Sequence, residues 1–206
     1  NRNLRSLALL AVVTASSAAS AATPSTHSWK SWPTFYANPD MAIWKDQNTI
    51  IKATVADFNE NSSAAYLILA NDDDSETLVG NNENEYNMTG STADLCGSGS
   101  DGCAWSRPDS TDPTKRVESD VFFDAWVMWD FDYKSTDIWG YGGSQRPLAT
   151  AAMHEFGHAM GLEHENAIYN VMGNEYETIT TNGTTYTVRL GEDATAGLKA
   201  MYASSS

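Results

Sequence analysis

Residues 151–165 read AAMHEFGHAMGLEHE and hold three of the chain's four histidines, His154, His158 and His164. On a helix turning about 100° per residue, setting His154 at zero puts His158 at about 40° and Glu155 at about 100°. Ala149, Ala152, Met153, Phe156 and Met160 then fall between about 160° and 260°. One side of this helix is apolar and suited to a core, and the other presents two imidazoles one turn apart. Four residues rise ~6 Å, so both rings can reach a single ion.

Two imidazoles do not hold a catalytic zinc ion, which takes three protein ligands and keeps one position open. Gly161, just past the last apolar residue Met160, can adopt the left-handed conformation that ends a helix and turns the chain sharply. That turn would let His164 swing back as the third ligand. Glu155 neighbours a ligand without being needed as one, and is placed to act as general base on water. All five fixed residues of HExxHxxGxxH are in register as His154, Glu155, His158, Gly161 and His164. A reading of these as ordinary core histidines would have to explain three imidazoles and a carboxylate gathered on the polar side of one helix. Pro147 is expected to open that helix. His27 reads as a solvated residue near the start of the mature chain.

Outward from the motif, the 206 residues are 41% hydrophobic and 19% charged, which suits one globular domain. Arg2 and Arg5 precede an apolar run from Leu7 to Val13, and Ala19-Ser20-Ala21 offers a small-x-small cleavage pattern. Residues 1–22 are therefore expected to be a signal peptide lacking its first residues, and residues 23–206 the domain. The run is shorter than the ~20 residues a membrane span needs, so a secreted chain with no membrane partner is expected. Losing two arginines and no acidic residue moves the formal charge from −15 to −17. Such acidity opposes binding to nucleic acid or anionic lipid. Cys96 and Cys103 are the only cysteines. In an exported protein a disulfide, constraining the unfolded chain by ~2.5 kcal/mol, is favoured over a pair of metal-binding thiolates, whose spacing is unlike a zinc hairpin's.

Strands are expected at Trp32–Ala37, Ala65–Leu69 and from Val121 to Trp129. A helix is expected over 47–60, with Ile51, Val55 and Phe58 on one face and Asp46 as its cap. Residues 71–113 read as long surface loops holding one or two short strands. Residues 178–188 read as a hairpin around Asn182-Gly183, and 190–202 as a closing helix with acids at its start and Ala194, Leu198 and Met201 on one side.

The extended zinc motif followed by Asn170-Val171-Met172-Gly173 resembles the metzincin metalloproteases, in which a turn carries a methionine beneath the zinc, the role Met172 would fill. The closing segment resembles that of matrixin-like and serralysin-like members, and 44–58 and 118–123 are loosely matrixin-like. The resemblance implies an α+β fold with a twisted, mostly parallel sheet, two long helices (one carrying the motif) and a small C-terminal subdomain ending in a helix. It also implies a monomeric zinc endopeptidase acting on protein or peptide substrates. The stretch after Met172, with Tyr176 and the hairpin, would then wall the pocket for the side chain just past the cut bond.

Some features depart from the family. Glu165 follows the third histidine as in astacins, but Asn174 stands where astacins place a tyrosine ligand. A propeptide cysteine is lacking, and too few histidines remain for a second, structural zinc. Calcium is carried as a second candidate cofactor, because Asp72-Asp73-Asp74 and Asp130-Phe131-Asp132 offer hard oxygens without matching a defined loop. Asn61, Asn87 and Asn182 begin glycosylation triplets. The competing reading is a secreted, zinc-stabilised binding or adhesion module that does not cut. Retention of Glu155 speaks against it, since a structural metal has no use for a base.

Overall fold

The computed structural model describes residues 24–62, 64–70, 79–90, 92–97, 99–131, 146–165, 171–173 and 190–202. In chain order these form β1 (Ser28–Trp29), β2 (Thr34–Ala37), a 3-10 turn (Pro39–Ala42), α1 (Lys45–Ser62), β3 (Ile68–Ala70) and β4 (Asn84–Thr89). There follow a short α2 (Ala93–Cys96), β5 (Gly102–Pro108), β6 (Lys115–Asp124), β7 (Trp129–Asp130), β8 (Arg146–Pro147), α3 (Leu148–Ala159) and α4 (Glu192–Tyr202). The main sheet runs β1-β6-β4-β2-β3 with every pair parallel, and β5 pairs antiparallel with β6. This is the α+β architecture with a mostly parallel sheet that the resemblance implied.

The sheet separates two environments. On one face Phe35, Ala37, Tyr86, Met88, Val121 and Phe123 join the apolar core with Ile51, Val55 and Phe58 of α1 and with Met153 and Phe156 of α3. The ring of Phe156 meets those of Phe35 and Tyr86 edge-on, at 5.4 and 6.3 Å between centroids. These contacts seat α3 on the sheet. Strand alternation sends Glu85, Asn87, Glu118, Asp120 and Phe122 to the opposite face, where they too are buried. The loop ahead of β4 helps cover them: the amides of Gly80 and Asn81 donate to the Glu118 carboxylate at 2.5 and 3.1 Å, and Arg107 meets its other oxygen at 2.6 and 2.9 Å.

Several boundaries differ from expectation. Helix α1 starts at Lys45, so Asp46 lies in its first turn and is not its cap. The preceding 3-10 turn feeds straight into the helix, with the Asn48 amide already bonded to the Trp44 carbonyl at 2.9 Å. Pro147 stands one residue before the first helical residue of α3. Strand β3 begins at Ile68, although Ala65 and Leu67 ahead of it are buried. The one or two short strands expected within 71–113 are β4 and β5, and β4 sits inside the sheet, between β6 and β2. Asn87 lies in that strand with 2% of its surface exposed, so its glycosylation triplet is closed off in the folded protein. No helix among the described residues is long and apolar enough to cross a membrane.

Candidate metal centre

Helix α3 is almost wholly buried; among its twelve residues only His158 keeps partial exposure. At its end the chain makes the turn that the glycine suggested. Gly161 has φ +99°, the Leu162 amide bonds the Gly157 carbonyl at 2.9 Å, and the Gly161 amide bonds that of His158 at 2.8 Å. This pair of bonds is a Schellman closure, and it requires a left-handed residue at its centre. A side chain there is barred also by space, because a Cβ on Gly161 would lie 2.9 Å from the His27 carbonyl oxygen and 2.5 Å from Cε of Met201.

The turn brings His164 back to the helix. The Nε2 atoms of His158 and His164 lie 2.9 and 3.1 Å from Nε2 of His154, and one ligand atom from each of the three rings fits within 4.8 Å of the others. The far sides of two rings decide their protonation. Nδ1 of His154 faces the Val171 carbonyl at 2.5 Å, and Nδ1 of His158 faces the Leu162 carbonyl at 2.6 Å. A carbonyl accepts, so each Nδ1 carries the proton and each Nε2 presents a bare lone pair. Two bare nitrogens 2.9 Å apart cannot hydrogen-bond to each other. A cation between the rings would satisfy them, so this donor set fits a metal ion that prefers nitrogen. Burial holds His154 well below the ordinary imidazole range and His158 down to about 4, with the neighbouring imidazoles adding to the effect. Both rings are therefore neutral and competent as ligands at neutral pH.

Glu155, which the helical wheel placed on the polar side beside the ligands, is shielded from solvent. It is 3% exposed and faces the start of β5, where the Ala104 amide donates to its carboxylate. A Cβ on Gly102 would sit 3.3 Å from its Cγ and 3.2 Å from the Phe122 carbonyl oxygen, so the glycine spares a tight contact where the strand passes. Burial pushes the carboxyl up to about 8, partly offset by the Ala104 amide. A cation at the histidines would favour its ionised form.

Met172 is fully buried next to the helix. Its sulfur occupies the place where a Cβ on Gly157 would go, so the glycine inside the motif makes room for the thioether. The chain around it is pinned to the third histidine's neighbour, with the Glu165 amide donating to the Met172 carbonyl at 2.9 Å. Cys96 and Cys103 form a disulfide with 6.2 Å between their Cα atoms. The bridge ties α2 to β5, the strand against which Glu155 rests. Gly102, Ala104 and Gly157 are contributors that the sequence reading missed. The glycine within HExxH was the available signal for the last of them.

Some expected features lie outside the described residues: the segment 1–22, Asp72–Asp74, Asp132, Tyr176 and the hairpin at 178–188.

Two neutral imidazoles on a buried helix and a third brought back by the turn after it, beside a buried carboxylate and a strand that among the described residues pairs on one side only, define a metallohydrolase-like centre on an α+β fold. A family model described as Peptidase_M10: Matrixin matches residues 90–203, more than half of the chain. The chain belongs to the matrixin family, and membership supports a zinc metalloprotease kind of function.

Proposed function

We propose that this chain is a secreted, monomeric zinc endopeptidase in which His154, His158 and His164 hold the ion and Glu155 is the general base. The observation that carries this reading is the convergence of three Nε2 atoms, those of His158 and His164 at 2.9 and 3.1 Å from that of His154, beside a buried carboxylate. Zinc held there would supply Lewis acidity, lowering the pKa of water toward ~7 and stabilising negative charge on a peptide carbonyl oxygen. Glu155 takes the proton from the attacking water. Its carboxyl, raised by burial, then hands that proton to the departing amine. The Ala104 amide anchors the carboxylate at the start of β5. Met172 floors the rings with a soft, apolar surface. Among the described residues β5 pairs with β6 alone, which leaves its other edge for an extended peptide to add as a strand. Secretion is supported by the composition of residues 1–22 and by the disulfide, which persists in oxidising compartments.

Glu155→Gln tests the assignment. We expect one zinc per chain, as in the wild type, with casein cleavage reduced by roughly 10²–10⁴-fold. Cleavage at the wild-type rate would overturn the role of Glu155. Stoichiometric zinc in a wild-type protein that cuts nothing would favour the binding-module reading instead.

A further inference from the structure

The end of α3 is held by groups from far away in the chain. A helix leaves its last carbonyls without intrahelical partners, and here each finds one. Arg116 of β6 donates from Nη1 to the carbonyls of His158 and Ala159, both at 2.6 Å. The indole of Trp29 donates to Ala159 at 2.9 Å, the Tyr202 hydroxyl to Met160 at 2.7 Å, and the Ser25 amide to Gly161 at 2.7 Å.

Arg116 stands apart from the other donors. It is 8% exposed, and among the described residues no carboxylate lies within ion-pairing distance. A buried guanidinium with no ion-pair partner is costly. What it touches directly is the carbonyl end of α3, where the helix dipole is negative, and Glu163 adds a longer-range attraction. Its two acceptors do not depend on it: His158 oxygen also receives the Gly161 amide at 2.8 Å, and Ala159 oxygen the Trp29 indole. Removing the guanidinium would orphan neither carbonyl, so an account of Arg116 as a mere satisfier of buried polar groups explains little. Its bonds do fall on the residue that carries the second imidazole, at the start of the four-residue turn to Leu162, whose carbonyl orients that imidazole.

We propose that Arg116 is a positioning residue for the metal centre: clamping the His158 and Ala159 carbonyls, it sets the direction in which His158, and through the Gly161 turn His164, present Nε2 to a shared ion. This rests on the reading of the three histidines as a zinc site.

The test is zinc affinity, measured by competition with a chromogenic chelator on purified metal-free protein well below its unfolding temperature. Arg116→Met should keep its far-ultraviolet circular dichroism and bind zinc roughly 10–100-fold more weakly, the range for partners that orient metal ligands. Arg116→Lys, which restores the charge, should recover most of the loss, and Trp29→Phe, which keeps the guanidinium, should stay within about threefold of wild type. The visible spectrum of the cobalt-substituted protein should change in Arg116→Met and not in Trp29→Phe. Should Arg116→Met fail to fold, Arg116→Gln carries the same comparison. A neutral variant that is less stable yet binds zinc and cobalt like the wild type would overturn the proposal while leaving the histidine site standing. A wild-type protein that binds no zinc would overturn both.

Discussion

The two faces of the sheet bury ionisable groups in opposite ways. Beneath α3, carbonyls occupy the Nδ1 sides of His154 and His158, and the remaining lone pairs converge on one point. On the other face, Glu118 gives both oxygens to protein donors, two backbone amides and Arg107, and Glu85 receives amide groups from Asn38 and Asn81. The first arrangement leaves unmet capacity aimed at a common centre, which is what a binding site needs. At Glu118 and Glu85 the second uses its capacity internally and works as structure, and the Oδ2 that Asp120 leaves over on that face joins no converging set of ligand groups among the described residues. Burial of charge by itself therefore does not mark function; the direction of what is left over does.

The largest effect that could break this contrast is His154→Ala. It should abolish stoichiometric zinc and lower cleavage by at least about a thousandfold, as expected when the Lewis acid is lost. Metal analysis and a peptide assay check this, and retained zinc at full occupancy would contradict the tripod. Glu118→Gln probes the structural face. Loss of the buried partner of Arg107 should cost about 2–3 kcal/mol in urea unfolding, below the usual figure for a fully buried pair because Arg107 reaches solvent, while kcat stays within a few-fold. A variant of normal stability and crippled kcat would reverse the two roles.

Gly157→Ala should destabilise by about 1–3 kcal/mol, since the new methyl collides with the Met172 sulfur. Combining it with Met172→Ala should recover part of the loss that the two single variants would show if they simply added.

The smallest and most specific effect concerns Asp120. Burial away from solvent, with Glu118 and Glu85 nearby, raises its carboxyl to about 8, and among the described residues its Oδ2 has no hydrogen-bond partner. The folded state then holds a proton that the unfolded chain has already released above about pH 4. Stability from this group is present below that pH and is lost as pH rises through about 8, by up to ~1.4 kcal/mol per pH unit. Asp120→Asn should flatten that part of the stability–pH curve, as measured by urea midpoints at pH 5, 7 and 9. Parallel curves for variant and wild type would refute it.

The metal motif was legible because its chemistry is local. His154, Glu155 and His158 share one helix, and Gly161 needs only its own backbone freedom to return His164, so a fixed spacing carries the geometry. Strand β4 was legible only in part. One or two short strands were expected within 71–113, but nothing marked NEYNMT as an inner strand of the sheet, because Glu85 and Asn87 look solvent-bound until the loop at Gly80 and Asn81 and the neighbouring strands cover them. Glu155 was half legible: its adjacency to the ligands came from the spacing, but its burial came from β5.

From the order of residues alone came the kind of donors, their number, the turn that gathers them and the apolar stripe that buries their helix, because each rests on periodicity and backbone preference over about a dozen positions. Only the tertiary structure brought Arg116 to the end of α3, Ala104 to Glu155 and Met172 into the gap left by Gly157. Those contacts join segments that are distant along the chain, and no local spacing encodes which distant groups will meet once the sheet closes beneath the helix.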